Sequence, residues 1–276
     1  MTYRNLEVPG INSFSATFYR NDSDVEYVAG EKLPHINDAL EIYVLIEGDA
    51  SFAVEASRYE LSPGDVIITK PNEIHNCILN SSSVHKHLCF WFDTSTPFIF
   101  DSFLKHELGC GNLIRPSDAA QEKLNIIYDE IIAASDEGDI HKQFYLCLEM
   151  LHILKEFTNS EGNAKPPTPI MREIISDMNQ NFKKIRNLDY FTAKYYLSPS
   201  TLNRLFKSYI KTTPKTYLET KKLSFSRMLL MSGKSVAEAA RESGFDTPTN
   251  YIRTFRRRFG ITPKQYAANT RKTDFV

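Results

Sequence analysis

The residues best suited to specific chemistry in this sequence form two copies of one short pattern. Ser198–Lys207 (SPSTLNRLFK) recurs 49 residues later as Thr247–Arg256 (TPTNYIRTFR). Each copy contains asparagine and arginine, which can form paired hydrogen bonds with the edges of adenine and guanine. The predicted DNA-binding residues are Ser198, Ser200, Thr201, Asn203, Arg204, Lys207, Thr247, Thr249, Asn250, Arg253, Arg256 and Arg257.

These side chains would be positioned by helices whose first residues share one sequence pattern. A hydroxyl residue precedes proline at Ser198, Thr213, Thr247 and Thr262. The hydroxyl can accept a hydrogen bond from an unsatisfied backbone N–H group, and proline suits the first helical position. The sequence therefore predicts that four helices begin at these residues.

The segment before Thr247 completes a helix-turn-helix. In Val236–Phe245 (VAEAARESGF), Ala240 allows a second helix to cross closely, and Gly244 allows a turn with a positive φ angle. The duplication predicts two such motifs, linked by Pro214–Met231 as one helix of 18 residues, about 27 Å long. Successive major grooves on one face of DNA lie about 34–36 Å apart, so a rigid linking helix could place both recognition helices in adjacent grooves.

Charge is divided unevenly along the chain. Residues 1–169 contain 12 Lys and Arg against 26 Asp and Glu, whereas residues 170–276 contain 21 against 8, a balance of +13. Such a field favours a polyanion, with nucleic acid the first candidate, as the partner of the basic part. Residues 158–169 between them are polar and rich in Pro and Gly, which predicts an exposed linker.

The acidic part is predicted to form a β-sandwich or barrel, because short apolar runs alternate with turn residues over residues 11–95. Leu40–Glu47 and Ala50–Glu55 flank the dipeptide Gly48-Asp49, which predicts a hairpin. Further strands are predicted within Tyr59–Thr69 and Val84–Phe92.

Two helices are predicted after the strands, at about 119–157, with a turn at Asp136–Asp139. In both helices apolar residues recur at intervals of four and three, the spacing of one buried helical face. That stripe could pack on the barrel or on a second copy of the chain, and the additional apolar residues Ile126, Leu146 and Leu148 allow both packings at once. We expect a homodimer through this helical hairpin.

Cysteine use and hydropathy predict a cytoplasmic protein. The four cysteines lack the spacing of a zinc site, and so few in a long chain indicate a reducing compartment. No apolar run approaches the roughly 18 residues of a membrane span, and the first residues lack the apolar core of a signal peptide. We predict neither a membrane partner nor a cofactor.

Residues 170–268 resemble the DNA-binding domain of AraC-type transcription regulators, which contains two helix-turn-helix motifs. The matching residues include Leu202-x-Arg204-Leu-Phe-Lys207, Val236-Ala-Glu-Ala-Ala240, Gly244-Phe245 and Phe259-Gly-Ile-Thr-Pro263. The first copy departs at Lys211, where the family usually has glycine, and at Thr192, where it usually has alanine, while Lys222 replaces the usual arginine. The resemblance implies a sequence-specific transcription regulator, with RNA polymerase as a further partner if it activates.

The acidic part resembles the cupin barrel. The resemblance rests on Glu41 followed by Gly48, on Pro63-Gly64-Asp65, and on Pro71-Asn-Glu-Ile-His75. Metal-binding cupins have His-x-His ahead of the glutamate, whereas this chain has His35-Ile-Asn37. His35, Glu41 and His75 are competent ligands for a divalent ion, but with Asn37 in place of one histidine we predict no bound metal.

In AraC-type regulators a cupin-like barrel with a helical hairpin is the usual effector and dimer module. The resemblance therefore implies a small-molecule effector, with a sugar or another carbon source as its class. The mouth of the barrel is the expected pocket. The predicted effector-binding residues are His35, Glu41, Tyr43, His75 and Trp91.

The predicted fold is thus α+β. A cupin-like barrel with a helical hairpin occupies residues 1–157, a linker 158–169, and an all-α DNA-binding domain with two helix-turn-helix motifs 170–276. The predicted function is effector-controlled transcription regulation without enzymatic activity. Two alternatives stay open: a metal-dependent cupin enzyme tethered to DNA, against which Asn37 and the lack of a nucleophile–base motif argue, and a regulator that needs no effector.

Overall fold

A computed structural model of the chain shows two compact units. The structure describes residues 4–7, 15–21, 26–27, 30–31, 34–37, 39–92, 101–157 and 167–273. The first unit comprises residues 1–33 and 37–166, and the second comprises residues 34–36 and 167–276.

The described part of the first unit consists of short strands followed by helices. The strands are β1 (Arg4–Glu7), β2 (Ser15–Asn21), β3 (Glu26–Tyr27), β4 (Gly30–Glu31), β5 (Leu40–Glu47), β6 (Ala50–Val54), β7 (Ser57–Leu61), β8 (Val66–Thr69), β9 (His75–Leu79), β10 (Ser83–Val84), β11 (Lys86–Phe92) and β12 (Leu113–Ile114). The helices are α1 (Asp101–Leu104), α2 (Asp118–Glu137) and α3 (Ile140–Glu156).

The strands form two main antiparallel sheets and one short ribbon. The first sheet has the order β1-β2-β11-β5-β8-β12, the second has the order β4-β9-β6-β7, and β10 pairs with β3. Strands that follow one another in sequence are therefore often in different sheets, as in double-sheet barrels.

The turn at Gly48-Asp49 connects the two sheets and does not form the predicted hairpin. β5 pairs with β11 and β8 in the first sheet, whereas β6 pairs with β7 and β9 in the second. The stretch Tyr59–Thr69 crosses between the sheets in the same way, because β7 and β8 lie in different sheets. The predicted pairing was wrong because a turn signal indicates that the chain reverses and does not say which strand lies beside it.

Both faces of the central strand β5 are buried. Leu40, Ile42 and Val44 pack in one core with apolar residues of α2 and α3. Tyr43 and Leu45, which alternate with them, pack in another core with residues of the second sheet. Because successive side chains of a strand point to opposite faces, β5 has one side toward the helices and one side toward the barrel interior.

The helical hairpin packs its apolar stripe on the first sheet. Ser117 and Asp139 accept backbone N–H bonds at the starts of α2 and α3, and Gly138 ends α2 with a φ of 73°. The buried stripe residues are Ala120, Leu124, Ile127, Ile131, Ala134, Cys147, Leu151 and Leu154. Of the two packings that the sequence left open, the structure shows the one on the barrel. The stripe that motivated the predicted homodimer is therefore already covered, and Ile126 and Tyr145 are the side chains left 61% and 64% exposed.

We expect Leu124→Ala to lower the free energy of unfolding of the first unit by about 2–5 kcal/mol, because it leaves a cavity in a buried core. The matched control is Lys123→Ala, the exposed residue next to Leu124 on the same helix, which should change it by less than about 0.5 kcal/mol. Urea unfolding of the full chain followed by circular dichroism measures both. Equal effects of the two variants would show that the stripe does not pack as described.

The second unit is helical. Its helices are α4 (Pro169–Asn181), α5 (Asp189–Lys194), α6 (Pro199–Tyr209), α7 (Pro214–Met231), α8 (Val236–Glu242), α9 (Pro248–Phe259) and α10 (Pro263–Thr273). The four predicted helix starts are confirmed. The hydroxyls of Ser198, Thr213, Thr247 and Thr262 accept a bond from the backbone N–H three residues ahead at 3.1, 3.1, 3.2 and 3.3 Å.

Two helix-turn-helix motifs, α5–α6 and α8–α9, are linked by the 18-residue α7. In the second motif Phe245, Tyr251 and Phe255 form the core. Gly244 has a φ of 83°, and a Cβ at this position would collide with the carbonyl oxygen of Lys183.

The predicted α+β class, a β-sheet domain followed by a helical domain, is confirmed. Within the described residues, none of the helices is both long enough and apolar enough to cross a membrane.

Candidate DNA interface and effector site

The first predicted reading surface lies on the outer side of α6. Ser200, Arg204 and Lys207 are exposed, and the opposite side of the helix is buried. Asn203 is half-buried, and its side-chain amide donates to the Pro199 carbonyl at 3.0 Å. Arg204 and Lys207 thus present positive charge along one face of this helix.

The second predicted reading surface lies on α9. Thr249, Arg253 and Arg256 are exposed and Asn250 is half-buried. The Arg253 guanidinium donates to the Asn250 side-chain oxygen at 3.2 Å. This bond holds the Asn250 amide and the Arg253 guanidinium next to each other, and both groups could contact bases.

Three predicted DNA-binding residues have a structural use at the helix starts. The Ser198 and Thr247 hydroxyls cap α6 and α9, and the Ser198 hydroxyl lies 2.9 Å from that of Thr201. These hydroxyls therefore fix where α6 and α9 begin.

Charge on the two recognition helices is entirely positive. Neither α6 nor α9 contains Asp or Glu, and α9 contains four arginines. One of the four, Arg257, makes an ion pair with Glu219 of α7 at 3.0 Å. Helices without acidic residues are suited to contact the phosphate backbone, which accounts for most of the non-specific affinity of proteins for DNA.

Lys222 of α7 holds the turn of the second motif. Its ammonium group is buried and donates to the carbonyls of Ile185 and Gly244, both at 2.7 Å. Burial lowers the pKa of this amine. The position that the sequence flagged as a departure from arginine therefore anchors Gly244, just before the cap of α9.

Asp177 of α4, which the sequence reasoning missed, anchors the first motif. Its carboxylate accepts from Lys194 at 2.8 Å, from Asn181 at 2.8 Å, and from Tyr190 and Tyr195 at 3.2 Å each. Burial opposes the charge on this carboxylate, but the bonds from Lys194 and its neighbours lower its pKa overall. The helix α5 and its following turn are thereby tied to α4.

Glu41, Tyr43 and Trp91 of the predicted effector site lie on the interior side of the first sheet. Along the strands they alternate with residues that face the helices. Trp91 of β11 lies directly opposite Glu41 of β5 in the sheet. His35 belongs to the short segment Pro34–Ile36, which groups with the second unit.

Glu41 and His75 form a buried acid–base pair. The imidazole Nε2 lies 3.0 Å from the Glu41 carboxylate, and the Asn37 amide also donates to that carboxylate. The other imidazole nitrogen lies 3.0 Å from the Glu73 carbonyl oxygen. Burial alone lowers the pKa of His75, but the Glu41 carboxylate outweighs it and raises that pKa above its ordinary value. Carboxylate and imidazole could ligate a metal; here the Glu41 carboxylate is hydrogen-bonded to both His75 and Asn37.

Around Tyr43, which was predicted, lies a second polar group inside the barrel whose other members were not predicted from the sequence. The Tyr43 hydroxyl lies 2.9 Å from His85 Nε2 and 3.6 Å from Cys77 Sγ, and the His87 ring stacks 5.2 Å from the Tyr43 ring. All four residues are buried, and burial raises the pKa of Tyr43 well above its ordinary value. The available signal was the alternation of His85, His87, Cys89 and Trp91, which puts all four on one face of the strand region.

We expect Lys222→Met to lower the stability of the second unit by about 1–3 kcal/mol, because two buried carbonyls lose their donor. Lys215→Met, an exposed position on the same helix, is the matched control and should have little effect. Thermal unfolding of the full chain without DNA provides the comparison. A Lys222→Met protein as stable as the control would mean that this amine does not anchor the turn.

Comparison with known proteins agrees with this architecture. Residues 191–269 match the helix-turn-helix domain family, and residues 31–90 match the AraC-like ligand binding domain family. The chain is similar to the HTH-type transcriptional regulator ExsA of Pseudomonas aeruginosa, with 20% identity over 251 residues, which cover 83% of this chain and 86% of ExsA. It is also similar to the arabinose operon regulatory protein of Salmonella typhimurium, with 23% identity over 242 residues and 81% of each chain covered.

Two solved structures also align with this chain. ToxT from Vibrio cholerae aligns with 92% of this chain and 97% of its own, at 14% identity and a TM-score of 0.39. A transcriptional regulator with an AraC-type DNA-binding domain from Chromobacterium violaceum is 30% identical, covering 37% of this chain and 92% of its own, with a TM-score of 0.34. With both sequence families matched on the units that the structure separates, the chain belongs to the AraC-type transcription regulators and contains an AraC-like ligand-binding domain and a helix-turn-helix DNA-binding domain.

Proposed function

We propose that this regulator reads two successive half-sites of an operator through α6 and α9, under the control of a small molecule in its barrel. The observation that carries the proposal is the pair of capped helices, each free of acidic residues and each with an exposed arginine at the same place, Arg204 and Arg253. One such helix could be a solvated surface. Two copies in a segment with a balance of +13 favour DNA.

The proposed DNA-binding residues divide into three roles. Arg204 with Asn203, and Arg253 with Asn250, are proposed to contact base edges, because their side-chain groups can form paired bonds with guanine and adenine. Lys207, Arg256 and Arg257 are proposed to contact phosphates. The remaining proposed residues, at the helix starts, orient the first turn: Ser198, Ser200, Thr201, Thr247 and Thr249.

The proposed effector is a small polar molecule of the sugar class. Support comes from the hydrogen-bonding side chains inside the barrel, namely Glu41 with His75 and Tyr43 with His85. A ligand with several hydroxyl groups could exchange bonds with such groups, as buried polar side chains require. Trp91 is half-buried beside them, and an aromatic ring can stack on the apolar face of a sugar ring.

We also propose a homodimer, formed by the outer surface of the helical hairpin and not by its buried stripe. Ile126 of α2 and Tyr145 of α3 are large, apolar or aromatic, and mostly exposed. We place the protein in the cytoplasm, where DNA is its partner. We assign no catalytic residue, and RNA polymerase is a partner if the protein activates.

The DNA assignment is tested with an operator selected from random duplexes. We expect Arg253→Ala to weaken operator binding by about 1–3 kcal/mol, about 5- to 150-fold, and to affect a scrambled duplex less, since a base contact is lost. The control is Arg257→Ala, which should weaken both duplexes about equally because its role is a phosphate contact. Binding is measured at one fixed salt concentration. Equal losses on both duplexes for Arg253→Ala would remove the base-reading assignment.

The effector class is tested by thermal unfolding of the full chain with a panel of sugars and one unsaturated fatty acid. We expect a sugar to raise the melting temperature, and Tyr43→Phe to weaken its binding about 3- to 10-fold through loss of one hydrogen bond. Tyr145→Phe removes an exposed hydroxyl and should leave binding unchanged. A rise in melting temperature with the fatty acid alone would contradict the sugar class. No rise with any compound would favour a regulator without effector. Turnover of the sugar would favour the tethered enzyme.

The dimer is tested by light scattering on Ile126→Glu with Tyr145→Glu. We expect the double variant to be monomeric, because charge would be buried at an apolar contact. Asn125→Glu adds the same charge at an exposed neighbouring position and should stay dimeric. A double variant that remains dimeric would place the interface elsewhere.

A further inference from the structure

Tyr196, in the turn between α5 and α6, combines two features that a folded chain normally avoids. Its side chain is 95% exposed, the largest exposure among the exposed large hydrophobic residues of the described chain. Its φ angle is 52°, in the left-handed region. There the Cβ of an L-residue crowds the following carbonyl oxygen, which destabilises the turn.

The second motif shows what the turn itself requires. Leu197 N–H donates to the Thr192 carbonyl, and Phe245 N–H donates to the Ala240 carbonyl, each at 3.1 Å. These matching bonds equate Tyr196 with the residue before Phe245, which is Gly244 with a φ of 83°. Glycine takes this conformation without strain, so tyrosine is not the residue that the fold favours here.

The neighbours of Tyr196 are fixed, so its exposure is not that of a loose segment. Tyr195 donates to Asp177 at 3.2 Å and Lys194 donates to the same carboxylate at 2.8 Å. On the other side, the Ser198 hydroxyl caps α6. The turn is therefore held on both sides while one aromatic ring is presented to solvent.

The place of this ring identifies its partner. Recognition helices enter the major groove with their N-terminal residues toward the bases, and Tyr196 lies two residues before the cap of α6. A side chain at that point can reach the sugar–phosphate strand that borders the groove, where tyrosine hydroxyls commonly donate to phosphate oxygens. The surrounding unit has a strongly positive balance, as a phosphate strand requires.

We propose that Tyr196 is a DNA-backbone contact of the first motif, its hydroxyl donating to a phosphate and its ring packing on the adjacent deoxyribose. The proposal rests on the proposed function of α6. Strained residues that a fold does not need concentrate at functional sites, and this one would give the first half-site a contact that Gly244 cannot give the second.

The test uses four variants of the full chain and measures stability and DNA binding separately. Tyr196→Gly and Tyr196→Asn should raise the melting temperature by a few degrees, because both residues tolerate a positive φ. Tyr196→Ala keeps the Cβ and should not. All three should weaken operator binding about 5- to 10-fold. Affinity for the operator would then depend on whether the aromatic ring is present, and stability on whether the residue tolerates a positive φ. Tyr196→Phe should fall between these variants and the wild type, since it loses only the hydroxyl.

Footprinting on the selected operator locates the effect. Protection should weaken at the half-site of α6 and stay unchanged at that of α9. If Tyr196→Gly is stabilised yet binds the operator as tightly as the wild type, the proposal is wrong, and a protein partner becomes the better explanation of the exposed ring. Failure of the proposed function would give different results. The wild-type protein would bind operator and scrambled duplex equally well, or Arg253→Ala would weaken binding to both duplexes by the same factor.

Discussion

The first unit depends on a pair of central strands, β5 and β11, that are buried on both faces over most of their length. One face of each strand packs against the helical hairpin, and the other packs against the second sheet. On β5 this means that Ile42 and Val44 pack with α2 and α3, while Tyr43 between them bonds His85 in the barrel interior. A core packed at crystal-like density transmits small displacements rather than absorbing them. A ligand that displaced Tyr43 would therefore act on the packing of the hairpin through a single residue step.

Local interactions explain which parts of the structure were predictable. A cap is formed between a side chain and an N–H group three residues ahead, so Ser198 and Thr247 mark helix starts without reference to the rest of the chain. Gly138 and Gly244 likewise end or turn a segment through their own backbone angles. Because these signals are short-range, the starts of α6, α7, α9 and α10 could be placed from sequence to the residue.

Non-local contacts explain what could not be predicted. The Gly48-Asp49 turn was visible, but which strand would lie beside β5 depends on residues about 40 positions away. The stripe containing Leu124 showed that one helix face would be buried and could not say by what. The Tyr43, Cys77 and His85 group is assembled from three separate segments, and Asp177 receives donors from residues up to 18 positions along the chain. No spacing rule within one segment reveals such meetings.

The continuous helix α7 has a consequence for operators. It has neither proline nor glycine after its first position, and its 18 residues form a single rod between the two motifs. The separation and rotation of α6 relative to α9 are then properties of the protein, whereas DNA turns once in about 10–10.5 base pairs. Inserting about five base pairs between the half-sites would rotate one of them to the far side of the duplex, and inserting a full turn would restore the angle but not the distance. If both helices contact DNA as proposed, the binding sites should share one fixed spacing between their half-sites even where their base sequences differ.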